Sequence, residues 1–127
     1  MTVPSVEEVA QNVRMAFELG DPELFGTLLA ANVTWGPPDD PSPPCQNRRQ
    51  VLAWYQKASS AGARARVVEI DTVGDALLVG LVVTGTPAAE EQGGHAPRWM
   101  VLSIEDSKIV RIVGFAQRSE AAAWMTH

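Results

Sequence analysis

The sequence predicts an α+β fold: a curved antiparallel or mixed sheet wrapped around three helices of the N-terminal half, closed by a short C-terminal helix. Three observations carry this. Capping residues followed by apolar residues at helical spacing are grouped early, over residues 5–20, 21–29 and 47–62. Runs rich in β-branched residues are grouped late, over residues 63–115, with turn formers between them. The last of these runs, Trp99-Met100-Val101-Leu102 with Ile104 and Ile109-Val110 with Ile112, Val113 and Phe115, lack apolar/polar alternation, so both faces of that ribbon need cover. Helices first and antiparallel strands afterwards indicate segregated layers. A strongly twisted sheet around helices makes a cone with a hollow inside.

Each element has a local cause. Ser5-Val6-Glu7-Glu8 is a capping box, and Val6, Val9, Val13 and Phe17 recur at helical spacing behind it. Gly20 suits the left-handed residue that stops such a helix. Asp21 and Pro22 start a second one, with Leu24, Phe25, Leu28 and Leu29 as its stripe. Residues 32–35 read as a short strand. Residues 36–44 hold five prolines in nine positions, which forbids regular structure but makes a stiff rim loop. Asn47 and Gln50 repeat the capping logic for a third helix carrying Val51, Leu52, Trp54, Tyr55 and Ala58. Residues 63–72 read as a strand turned by Val73-Gly74-Asp75 into the almost wholly apolar strand 76–84. A polar loop over 87–97 leads to the closing ribbon, whose turn is Glu105-Asp106-Ser107. Ser119-Glu120 is expected to cap the final alanine-rich helix.

The 127 residues suit one domain, 1–127, large enough for its own core. The net charge of −5 repels a phosphate backbone, which argues against nucleic acid as a partner. Arg48, Arg49, Lys57, Arg64 and Arg66 form a loose basic cluster, read as a solvated face. A single cysteine, Cys45, allows no internal disulfide and fits a reducing compartment. No signal-like N-terminus is present, and the apolar run 76–83 is far short of the roughly 20 residues that span a bilayer. The expectation is a cytoplasmic protein without a membrane partner.

The order of elements, together with Glu18-Leu19-Gly20-Asp21-Pro22-Glu23-Leu24, Val33-Thr34-Trp35, Val51-Leu52-Ala53-Trp54, Gly74-Asp75-Ala76-Leu77-Leu78-Val79 and Ile109-Val110-Arg111-Ile112, resembles the SnoaL-like branch of the nuclear transport factor 2-like (NTF2-like) superfamily. The resemblance spans nearly the whole chain, and its motifs speak for fold rather than reaction. It implies a cone-shaped NTF2-like, cystatin-like domain, a mostly apolar pocket between sheet and helices, and a homodimer formed through the sheet. That superfamily includes polyketide cyclases, ketosteroid isomerases, epoxide hydrolases, dehydratases and non-catalytic binding or dimerisation domains. The ketosteroid isomerase residues are not kept: Gly36 stands near the base aspartate, Val13 near the tyrosine and Met100 near the protonated aspartate. Asn47 replaces a glycine common before the third helix, and it caps as well.

Trp35, Trp54, Trp99 and Phe115 suit the walls of a pocket for a flat apolar ligand, or a plain core. Trp35 is favoured, because it ends the first strand beside the proline loop. Arg98 shares strand parity with Met100, Leu102 and Ile104, so an inward parity puts a guanidinium at the pocket mouth. Asp39 and Asp40 in the rim loop, Asp71 or Glu69 on the parity of Val67, and His95 after Gly93-Gly94 are the available general bases; each also has an ordinary role in a turn or on a solvated edge. Cys45 lacks a helper histidine in sequence, and His127 is terminal. No grouping has metal-ligand spacing and no glycine-rich phosphate loop occurs, so no metal or cofactor is expected. The functional expectation is a small-apolar-ligand-binding domain. Trp35, Trp54, Arg98, Met100 and Phe115 form its site, and isomerase-, cyclase- or lyase-type proton transfer is its chemistry, with Arg98, Asp39, Asp71 or His95 in catalytic roles. The alternative is a non-enzymatic dimerisation or protein-binding module with a filled interior.

Overall fold

The computed structural model describes residues 5–40, 42–86, 90–91 and 93–125. His127 and part of the loop between the third and fourth strands lie outside the described residues. The order is α1 (Val6–Leu19), α2 (Pro22–Leu28), β1 (Leu29–Gly36), α3 (Arg48–Ser60), β2 (Arg64–Val73), β3 (Ala76–Thr84), β4 (Ala96–Glu105), β5 (Lys108–Phe115) and α4 (Arg118–Met125).

The capping signals operate as the side chains dictate. The Ser5 hydroxyl accepts from the Glu8 amide at 3.2 Å, and Asp21 accepts from the amides of Glu23 and Leu24. Asn47 accepts from the Gln50 amide at 2.9 Å, while Gln50 reaches back to the Gln46 amide at 2.7 Å. Gly20 ends α1 at φ 62°, its amide donating to Ala16. Several boundaries differ from the sequence reading: Ala96 and Pro97, expected in the loop, begin β4 opposite Val83 and Val82, and Val73, expected in the turn, ends β2. Leu29 belongs to β1 rather than to the α2 stripe: its backbone is extended and it pairs with Ile109, so β1 starts three residues before 32. Helix α4 begins at Arg118, so Ser119 lies inside it rather than capping it.

The sheet order is β1-β5-β4-β3-β2, with β1 parallel to β5 and the other pairs antiparallel. The β4–β5 turn places Asp106 and Ser107 at positive φ (50° and 64°), as a two-residue hairpin loop requires. Helices α1–α3 cover the inner face. There Val9, Val13, Phe17, Phe25, Val33 and Val51 meet Leu77, Val79, Leu81, Leu102, Ile109 and Ile112. The outer face carries a second, smaller cluster in which Leu78 and Val101 pack on Ala121, flanked by Trp99, Phe115 and Trp124 of the same face. Thus the ribbon without alternation is covered on both sides, by α1–α3 within and α4 without.

A bulge between Val67 and Glu69 changes the parity of β2. Val67 pairs with Leu81 and faces the core, whereas Glu69 pairs with Gly80 and Asp71 with Leu78 on the outer face. Glu69 and Asp71 therefore do not share the inward parity of Val67. From α1, Arg14 donates to the Val67 carbonyl and Glu18 accepts from the Val67 amide, which occupies polar backbone of this edge strand.

On the outer face Arg118 ties α4 to β2: it donates to both Glu69 carboxylate oxygens at 2.7–3.1 Å and to Asp71 at 3.5 Å. Hydrogen bonds from Arg118 hold the Glu69 carboxyl down at about 2, while the neighbouring Glu69 carboxyl, chiefly through a hydrogen bond, pushes the Asp71 carboxyl up. A depressed carboxyl stabilises the fold above its ordinary range, and that contribution is lost as pH falls towards 2. The melting temperature of Glu69→Gln is accordingly expected to lie below that of the parent at pH 7, with the gap closing between pH 4.5 and 2.5. A gap that stays constant over this range in pH-resolved melts would rule out the Glu69–Arg118 pair as its source. The pair is solvent-facing, so the gap at neutral pH should be small.

Candidate functional site

Strand residues of inward parity shrink towards one end of the cone. On β4 the series runs Leu102, Met100, Arg98, Ala96; on β5 it runs Ile112, Gly114, with Ala116 just past the strand end; on β2 it runs Val67, Ala65. Helix α3 offers Ala58 and Ser59 opposite them. Large apolar side chains close the narrow end; at the wide end the small residues Ala96, Gly114 and Ala65 leave space, with Arg98 as the one long side chain among them on these strands. The result is a hollow of about 710 Å³ between α1, α3 and the sheet.

Its aromatic wall is built from four elements. Phe17 of α1, Tyr55 of α3 and Trp35 of β1 line the hollow, and all three pack on Phe25 of α2 behind them, with ring centroids 4.8–6.5 Å apart. Trp54 stands beside Trp35 at 5.0 Å and is 55% exposed, so it forms the outer lip. The Tyr55 hydroxyl donates to the Ala16 carbonyl oxygen at 2.8 Å and is committed to the framework; burial, and secondarily the charge of Asp21, pushes its pKa up. Gly114 forms part of the floor opposite Met100, and the place of its missing Cβ is open space.

Of the residues singled out by the sequence, Trp35, Trp54, Arg98 and Met100 line this hollow together. Arg98 pairs across the sheet with Leu81 of the inner face, and its Nη1 donates to the Pro97 carbonyl at 2.9 Å. Phe115 borders the hollow, yet its ring pairs with Trp124 at 6.1 Å on the outer face. Trp99 does likewise: it lies over Gly80, and the Arg118 guanidinium sits 5.9 Å from its ring.

The proposed bases stand elsewhere. Asp71 is on the outer face with Arg118. Asp39 is exposed, and Asp40 accepts from the Ser42 amide as a turn residue. His95 is exposed and is not part of the lining. In its described part the proline loop lies away from the hollow. Trp35 and Cys45 exchange backbone hydrogen bonds at its base, Pro43 leaves no room for a Cβ on Gly36, and Arg111 of the outer face reaches the Pro38 carbonyl. Cys45 is buried there, which pushes its thiol pKa up. Among the described residues no group of three or more His, Cys, Asp or Glu side chains is placed to hold a metal ion. No helix among them is long and apolar enough to cross a membrane.

Sequence reasoning missed Gly114, Ala65, Ala96 and Ala58. Their signal was smallness at inward-parity positions, visible only once the register is known. Arg64, one of the solvated basic cluster in sequence, also borders the hollow, its guanidinium donating to the Ser59 and Ala63 carbonyls at the end of α3.

A family model described as a SnoaL-like domain matches residues 9–112. No curated protein matches the sequence. Among solved structures, the chain is similar to an uncharacterised cystatin-fold protein from Novosphingobium aromaticivorans: TM-score 0.73, 16% identity, covering 88% of this chain and 98% of that one. It is also similar to a candidate polyketide cyclase from Sinorhizobium meliloti: TM-score 0.67, 21% identity, 84% and 93% covered. A third similar structure is a hypothetical protein of ketosteroid isomerase-like fold from Catenulispora acidiphila, in complex with trimethylamine: TM-score 0.64, 18% identity, 96% and 92% covered. At these identities the likeness concerns the fold.

Proposed function

Given that the chain belongs to the SnoaL-like domain family, we propose that it is a small-molecule-binding domain whose ligand is a flat, largely apolar molecule. The hollow carries this reading: about 710 Å³, apolar on most sides, faced by Trp35, Trp54 and Met100 and holding the Arg98 guanidinium. That volume suits a ligand of two to four fused rings. A dimerisation module with a filled interior would have no use for such a space. Pairing through the outer sheet face would have to accommodate α4, which packs there on Leu78 and Val101.

The lining also bears on the reaction. Isomerase-, cyclase- or lyase-type proton transfer needs a base within hydrogen-bond reach of the ligand. Among the described residues the lining contains no carboxylate and no imidazole, and Asp39, Asp71 and His95 lie outside it. The neighbours named for cyclase or isomerase chemistry are therefore models for the container. The chain's own contribution is binding, with Arg98 as the group able to polarise a carbonyl or hold a negative oxygen.

Gly114→Leu tests this. Its Cβ enters open space and its backbone is not in the left-handed region, so a leucine side chain can project into the hollow and occupy part of its floor. In a thermal-shift screen with polycyclic ketones, phenols and carboxylates, at least one compound is expected to raise the melting temperature of the parent and to raise that of Gly114→Leu less. The proposal fails if nothing shifts the parent, or if the variant responds equally.

A further inference from the structure

We propose that the hollow selects an organic anion: a flat aromatic or alicyclic carboxylate, its charge at Arg98 and its rings among Trp35, Trp54 and Met100. This rests on the ligand-binding reading above and adds the charge of the ligand to it.

Among the described residues the ionisable side chains of the lining are Arg64, Arg98 and Tyr55. Tyr55 is spent on Ala16, which leaves two guanidiniums and no counter-charge. The ion pairs among the described residues belong to Arg118, so neither Arg64 nor Arg98 is neutralised by a carboxylate there. Arg64 is held by the carbonyls of Ser59 and Ala63, where it complements the C-terminal end of α3 and adds positive charge to the rim. Arg98 is half-buried, on the inward parity, and its contact with Pro97 uses one of five N–H donors. This positive lining belongs to a chain of net charge −5, so it does not follow from overall composition.

The consequence is a matter of desolvation. A ligand that fills the hollow strips water from Arg98. A neutral ligand replaces that water with at most one weak acceptor and leaves a charge short of partners. A carboxylate replaces it with paired charge-assisted hydrogen bonds in the geometry a guanidinium prefers. An ammonium ligand is repelled. The expected preference for carboxylate over its uncharged amide is about ten- to a hundredfold.

Calorimetric titration of the whole chain with 2-naphthoate, 2-naphthamide and 2-naphthylmethylammonium tests this, since the three share a ring system and differ in charge. Naphthoate is expected to bind at least tenfold tighter than the amide, and the ammonium weakest. In Arg98→Gln the naphthoate advantage should fall to within about twofold while the affinity for the amide stays; Arg98→Lys should keep part of it. Thermal melts establish that both variants fold. Equal binding of naphthoate and naphthamide by the parent overturns the charge inference and leaves the ligand-binding reading standing. Unchanged naphthoate affinity in Arg98→Gln overturns it too. If none of the three binds the parent, the ligand-binding reading falls and this inference with it.

Discussion

Phe25→Ala is expected to lower stability by about 3–5 kcal/mol, the range for truncating a fully buried phenylalanine. Phe25 has no exposed surface and touches three other aromatic rings, one from each neighbouring element: Phe17 on α1 at 5.3 Å, Tyr55 on α3 at 4.8 Å and Trp35 on β1 at 6.5 Å. The loss combines transfer of the ring to water, a cavity that these stiff neighbours are slow to fill, and forfeited ring–ring contacts. For a chain of this size the melting temperature should fall by roughly 10–20 °C. Phe25 does not line the hollow, but Phe17, Tyr55 and Trp35 do, and Phe25 is what they lean on. Any ligand response should therefore weaken as well. Trp54→Ala is the contrast, because Trp54 is 55% exposed and its removal should cost far less. If calorimetric melts put the two variants within a few degrees of each other, the three helices are not organised around Phe25.

Much of this framework is legible in the residues themselves, because its causes are local. Ser5, Asp21 and Asn47 cap helices with their own side chains, and Gly20 stops one with its own backbone. The strand 76–84 reads as central because it is apolar on both faces, and each face has a cover in the structure. The reading fails where distant partners decide. Leu29 has a helical neighbour on one side and an extended backbone on the other, and pairing with Ile109 settles it. The bulge after Val67 has no signature in the residues around it, so simple alternation gives Glu69 and Asp71 the parity of Val67, whereas both lie on the opposite face. The same limit applies to the hollow. Its walls, Trp35, Trp54, Arg98 and Met100, are conspicuous residue types. Its space comes from Gly114, Ala65, Ala96 and Ala58, and a missing side chain means something only when its direction is known.

Gly85→Ala is the second large expectation, and its cause is backbone rather than core. Gly85 follows β3 at φ 77°, and a Cβ there would collide with the Gly62 carbonyl oxygen and lie 2.9 Å from its carbon. Gly62 is itself at φ 102°, in the turn that carries the chain from α3 into β2, and Arg64 then pairs with Thr84. Two backbones thus cross in contact at the mouth of the hollow, beside Ala63, Arg64 and Thr86 of its lining. The left-handed conformation alone costs an alanine about 1–3 kcal/mol. The clash adds to this, because a carbonyl held between a helix end and a strand start cannot swing aside as a flexible side chain can. Gly74→Ala separates the two contributions: it has φ 59° with nothing near its Cβ position, so it carries the conformational cost alone. Urea unfolding should place Gly85→Ala well below Gly74→Ala in stability. If the two are equal, the crossing is loose enough to yield, and the mouth of the hollow is not fixed by this contact.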